Sequence, residues 1–110
     1  MEWGITMPKY YKLVRDFIPE IIQAKGQCCI TRVLDEKEYL EMIDAKLDEE
    51  LAEYRKERNI EELADLLEVI YAAAEAKGYS REQLEQVRAN KALQRGGFRK
   101  RLLLLEVRNS

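Results

Sequence analysis

Between residues 36 and 95 the apolar positions recur every three or four residues, the period of a helix that buries one stripe. Leu40, Ile43, Leu47, Leu51 and Tyr54 carry this repeat first. Asp35 precedes the run as an N-cap, and Glu38, three residues on, completes a capping-box pattern, so the sequence predicts a helix over 36–57. Asn59 breaks that helix and caps a third over 60–77, which Gly78 ends. Ser80 then caps a fourth over 81–95, ended by Gly96-Gly97. Upstream, Asp16 reads as the cap of a short first helix over 16–25, with Pro19 in its first turn and Gly26 as its stop.

The segments 28–34 and 101–107 are too short for helices and read as strands. The first, Cys28-Cys29-Ile30-Thr31-Arg32-Val33-Leu34, is rich in apolar and β-branched residues. The expected fold is mainly α, four helices around the long hairpin of the second and third, with a small two-stranded β element beside them. A lone two-stranded ribbon is marginal in water, so it is expected to pack on a helix or extend across a subunit boundary.

The third helix is apolar on nearly every side. Ile60, Leu63, Leu67, Ile70 and Ala74 form one stripe, and Val69, Ala72, Ala73 and Ala76 cover the opposite face. A helix of this kind is central or lies at a subunit interface, which predicts a homodimer or homotetramer. At 100° per residue, Glu62 and Asp65 fall on the Val69/Ala72/Ala73 side, and Glu50 falls at the edge of the second helix's stripe with Glu53 just beyond it. Carboxylates so close to apolar surface call for a compensating cation.

These acids form two pairs at three-residue spacing, Glu50 with Glu53 and Glu62 with Asp65, each on one helix face. Folding the chain back near Glu57-Arg58 sets Glu53 opposite Glu62 and Glu50 opposite Asp65. Four carboxylates so arranged suit Mg2+, which takes hard oxygen ligands and retains waters; Mn2+ is the alternative ion. In a chain that is 36% charged, one such pair alone is most often a solvated face. The register between the pairs and their half-apolar setting favour the metal site.

Composition narrows the chemistry further. With 110 residues the chain is expected to form one domain over 7–110. Residues 1–6 read as a flexible N-terminal extension: they lack the basic-then-apolar pattern of a secretory signal, and Met7-Pro8 offers a second candidate start. Nineteen Lys+Arg against 21 Asp+Glu, spread along the chain, argue against a nucleic-acid polymer as partner. No apolar run approaches the roughly 20 residues of a membrane span. The two cysteines are adjacent, a spacing that ordinary disulfide geometry does not accommodate, which fits a reducing, cytoplasmic setting. The absence of histidine removes His-based acid–base chemistry and most zinc chemistry.

The Glu49-Glu50-Leu51-Ala52-Glu53 and Glu62-Leu63-Ala64-Asp65 segments together resemble the signature of the MazG-like, all-α nucleoside triphosphate pyrophosphohydrolases. That superfamily also holds phosphoribosyl-ATP pyrophosphohydrolases and dimeric dUTPases. Residues 11–22, 62–70 and 91–98 are similar, in this order, to a small single-domain subgroup resembling phosphoribosyl-ATP pyrophosphohydrolase, and the resemblance spans about residues 8–107. It implies a four-helix MazG-like bundle, metal ligands at Glu50, Glu53, Glu62 and Asp65, and Glu49 as the first glutamate of the signature. It further implies a substrate pocket lined by Lys12, Arg15, Asp16, Lys91, Arg95, Gly96 and Gly97. Lys and Arg suit phosphate oxygens, and Gly-Gly permits close backbone approach. Equally, Gly96-Gly97 reads as a plain helix stop, and Arg15-Asp16 as an N-cap with a local ion pair.

The function implied is Mg2+-dependent hydrolysis of a nucleoside triphosphate, canonical or damaged, to the monophosphate and pyrophosphate, with Glu49 or Glu53 aligning or deprotonating the attacking water. The interval from Glu53 to Glu62 is shorter than in many MazG-like proteins, which leaves the substrate open. Phosphoribosyl-ATP is the alternative substrate, and a helical oligomerisation module that binds nucleotide without turnover is the alternative from another class.

Overall fold

The computed structural model describes residues 11–109, and the extension expected at 1–6 lies outside them. Four helices follow one another: α1 (Ile18–Ala24), α2 (Glu36–Glu57), α3 (Ile60–Ala76) and α4 (Arg81–Arg95). The mainly α reading holds, and α2 and α4 have the predicted limits.

Their ends are set by local chemistry. Asp35 Oδ1 accepts from the Glu38 amide at 2.8 Å to open α2, and Asn59 Oδ1 accepts from the Glu62 amide at 3.0 Å to open α3. At α4 the reciprocal capping box forms between Ser80 and Gln83. The box expected at α2 is only half made, because the Glu38 carboxylate turns outward to a two-point pair with Arg32 at 2.7 and 3.0 Å. A charged, bidentate partner outcompetes a single backbone amide. Between α2 and α3 the turn is just Arg58-Asn59, and Arg58 takes the left-handed conformation (φ 54°) to close α2.

Two expectations are corrected. Asp16 does not cap α1: the N-cap is Phe17, no side chain caps the helix, and α1 is shorter at both ends than expected. Pro19 lies in its first turn as predicted, and Arg15 carbonyl accepts from the Ile18 amide at 3.1 Å. The two-stranded β element does not form among the described residues: 28–34 and 101–107 have no strand structure. An apolar, β-branched sequence does not make a strand without a ladder partner, and neither segment is supplied with one.

α2 and α3 pack as an antiparallel hairpin, and α4 packs on α3. Ile43, on α2, is the one fully buried hydrophobic residue among those described, at 1% exposure. Glu62, Asp65, Leu66, Val69, Ala72, Ala73 and Ala76 form the shielded side of α3, whereas Ile60, Leu63, Leu67 and Ile70 lie on its exposed side. The hairpin therefore covers one apolar side of α3 and leaves the other exposed.

Candidate metal centre

The short turn fixes how far α3 slides against α2, and this register brings carboxylates from the two helices together. Glu50, Glu62 and Asp65 each place an oxygen within 4.8 Å of the others. Glu62 and Asp65 lie one turn apart on α3; Glu50 meets Asp65 as the fold-back register predicts, and it also meets Glu62, which that register set opposite Glu53. All three are half-buried. Glu53 is exposed and stands outside this close triad, although its charge reaches Glu62.

The cluster is electrostatically unbalanced. Partial burial, then the charges of Asp65, Glu53, Glu50 and Glu57, push the Glu62 carboxyl above its ordinary range. The opposite holds for Glu49: burial pushes it up, but hydrogen bonds and charge from Lys12 and Lys46 outweigh this and hold it below the ordinary range. Three oxygen donors within 4.8 Å of one another, one of them resisting ionisation, could hold a metal ion.

Three basic side chains flank the acids. Lys46 Nζ lies 3.3 Å from Glu49 Oε2 and 3.4 Å from Glu50 Oε1. Lys12 Nζ is 3.1 Å from Glu49 Oε1, and Arg15 Nη2 is 2.6 Å from Asp65 Oδ1. The last two pairs span 37 and 50 residues and hold the segment before α1 against the hairpin. As exposed pairs, each contributes only about 0–1 kcal/mol, little enough to be given up to a stronger ligand. Lys46 was not anticipated as a site residue, yet its i,i+4 spacing to Glu50 was the available signal.

The remaining candidates are placed apart. Asp16 lines a groove of ≈ 370 Å³ with Leu13, Arg32, Val33, Leu34 and Tyr39. Lys91 and Arg95 lie exposed on α4, with no ion pair to the acidic triad among the described residues, and Gly96 caps that helix at φ 83° beside Gly97. The structure thus unites the N-terminal basic residues with the acids and leaves the α4 set separate. A second groove, of ≈ 580 Å³, lies between α3 and α4, where the Arg81 guanidinium sits 4.4 Å over the Tyr71 ring; Glu50, Glu62 and Asp65 do not line it.

Fold and site together define a helical-hairpin protein with an interhelical carboxylate triad. No family model and no solved structure matches the chain. A 44-residue stretch is 54% identical to a protein of Mycolicibacterium smegmatis described as uncharacterized, covering 40% of this chain and 45% of that protein. The chain thus spans less than half the length of the relative it matches. No helix among the described residues is long and apolar enough to cross a membrane.

Proposed function

We propose that this chain is a Mg2+-dependent nucleotide pyrophosphohydrolase, cleaving a nucleoside triphosphate to the monophosphate and pyrophosphate. The observation that carries the reading is the convergence of Glu50, Glu62 and Asp65 within 4.8 Å across the hairpin. These three would hold the ion, with Glu53 one turn from Glu50 as the fourth carboxylate. Mg2+, or Mn2+ in its place, would neutralise phosphate charge and acidify water at the site.

The chain's own residues divide the remaining work. Glu49, kept ionised by Lys12 and Lys46, orients a water by accepting its hydrogen bond; Glu53, exposed and with no ion pair among the described residues, is the better placed of the two to take the proton. Lys12 and Arg15 leave their weak surface pairs for the more highly charged triphosphate. Asp16, Lys91, Arg95 and the Gly96-Gly97 turn form the outer substrate surface in this reading. Water adds to a phosphorus of the α–β anhydride as the base takes its proton, the bridging oxygen leaves with its electron pair to give monophosphate and pyrophosphate, and the base then releases the proton to solvent. The exposed apolar side of α3 supports a homo-oligomer, and two adjacent, unbridged cysteines suit the reducing cytoplasm.

The test is pyrophosphate release from a panel of nucleoside triphosphates and phosphoribosyl-ATP, with and without Mg2+. Metal-dependent release that Glu50→Gln abolishes supports the proposal and selects the substrate. No release from any of these by folded protein, with nucleotide still bound, turns the assignment to a binding module.

A further inference from the structure

The segment after α4 is the part of the chain that the hairpin leaves without a role. Every residue from Phe98 to Asn109 is exposed. Within it Leu102, Leu103, Leu104, Leu105 and Val107 show between 78% and 86% of their surface, and Phe98 shows 96%. In an extended segment alternate side chains point to opposite faces, so this run is apolar on both. Such a segment is stable between two covering layers, not in water.

Matching surface exists elsewhere on the chain. Ile60 on the outer side of α3 is 73% exposed, continued by Leu63, Leu67 and Ile70. The chain presents 10563 Å² to solvent, whereas a compact monomer of its mass exposes roughly 6,300 Å². Its radius of gyration is 19.4 Å, against about 13 Å for a compact domain of this length. The surplus area is several times the ~800 Å² per partner of a standard stable interface. Charge is complementary as well. Arg99, Lys100 and Arg101 open the arm with no ion pair among the described residues, while α3 carries five acids and no Lys or Arg between Ile60 and Ala76.

We infer that residues 98–107 form an arm exchanged between two copies of this chain, each arm lying along the exposed side of the partner's α3 with its basic triplet beside the acids of that helix. The exchange is reciprocal, so one two-fold interface covers both arms and both α3 faces. Gly96-Gly97, with Gly96 at φ 83°, supplies the hinge that lets the arm leave its own body. The inference rests on the homo-oligomer part of the proposal above and not on its chemistry.

The experiment takes the full chain and measures its mass by sedimentation equilibrium, alone and as Leu103→Asp/Leu105→Asp. The wild type is expected at twice 13.0 kDa, and the variant to dissociate at least ~100-fold more readily with its helical circular dichroism retained, because the arm contributes nothing to α1–α4. A mixture of equal parts 14N and 15N protein, equilibrated and treated with carbodiimide, should join Lys100 to hairpin carboxylates in peptide pairs of mixed isotope about half the time. A monomeric wild type overturns both the oligomer and the arm. A dimer indifferent to the variant overturns the arm alone, as do Lys100 cross-links confined to single chains, which would place the arm on its own α3.

Discussion

Glu62→Gln should act in opposite directions with and without metal. In the metal-free protein, burial and four neighbouring acids hold the Glu62 carboxyl above its ordinary range. The folded state then binds more protons than the unfolded state between the unfolded and folded pKa values, so stability falls as pH rises through that window and stays reduced above it. Gln carries no charge to penalise, so the variant should melt higher than wild type at pH 7, and the difference should vanish as pH falls below the ordinary carboxylate range.

With Mg2+ the order reverses. At one hundred times its dissociation constant a ligand stabilises by about 2.7 kcal/mol. For 110 residues the unfolding entropy is ~0.23 kcal/mol/K, so wild type should gain about 12 °C. Losing one of three carboxylates, with affinity weakened ~10- to 100-fold, leaves about 1.4 to 0.4 kcal/mol at the same metal concentration, or roughly 6 to 2 °C. Differential scanning calorimetry at fixed protein concentration reads both arms of the comparison. An equal magnesium-induced gain in variant and wild type would refute the placement of Glu62 in the metal site.

Three further outcomes follow from the same geometry. Magnesium affinity, read by isothermal titration, should fall as pH is lowered through the raised Glu62 titration, because the ion must displace that proton; a flat profile contradicts the triad. Ile43→Ala should cost about 2–3 kcal/mol, the low end for such a truncation because its half-exposed surroundings can collapse, and chemical denaturation should show it as a lower midpoint. Arg58→Gly should stabilise by about 0.5–1 kcal/mol, since glycine takes the left-handed turn between α2 and α3 without steric cost; destabilisation would mean that the turn has another geometry.

The helical plan was legible because its signals are local. Asp35, Asn59 and Ser80 each accept a hydrogen bond from an amide three residues on, an interaction that needs no distant partner. The Glu50–Asp65 pairing was legible for a related reason: with only Arg58-Asn59 between two helices, the register of a hairpin follows from counting. The failures share the opposite cause. Asp16 has the chemistry of a cap, but the chain around it runs out toward the hairpin, where Arg15 meets Asp65. Segments 28–34 and 101–107 have strand composition, and composition cannot provide the second strand.

Sequence alone was therefore enough to set α2, α3 and α4, their caps and the facing of Glu50 and Asp65, because each depends on spacing within a few residues or across one tight turn. Tertiary structure decided that Glu50, Glu62 and Asp65 close on one another while Glu53 stays outside, and that Lys12, Arg15 and Lys46 are the cations beside them. It also decided which side of α3 meets α2 and which is left open. Such outcomes rest on distances between residues far apart in the chain, and charge repulsion, ion pairing and burial act through those distances without regard to sequence order.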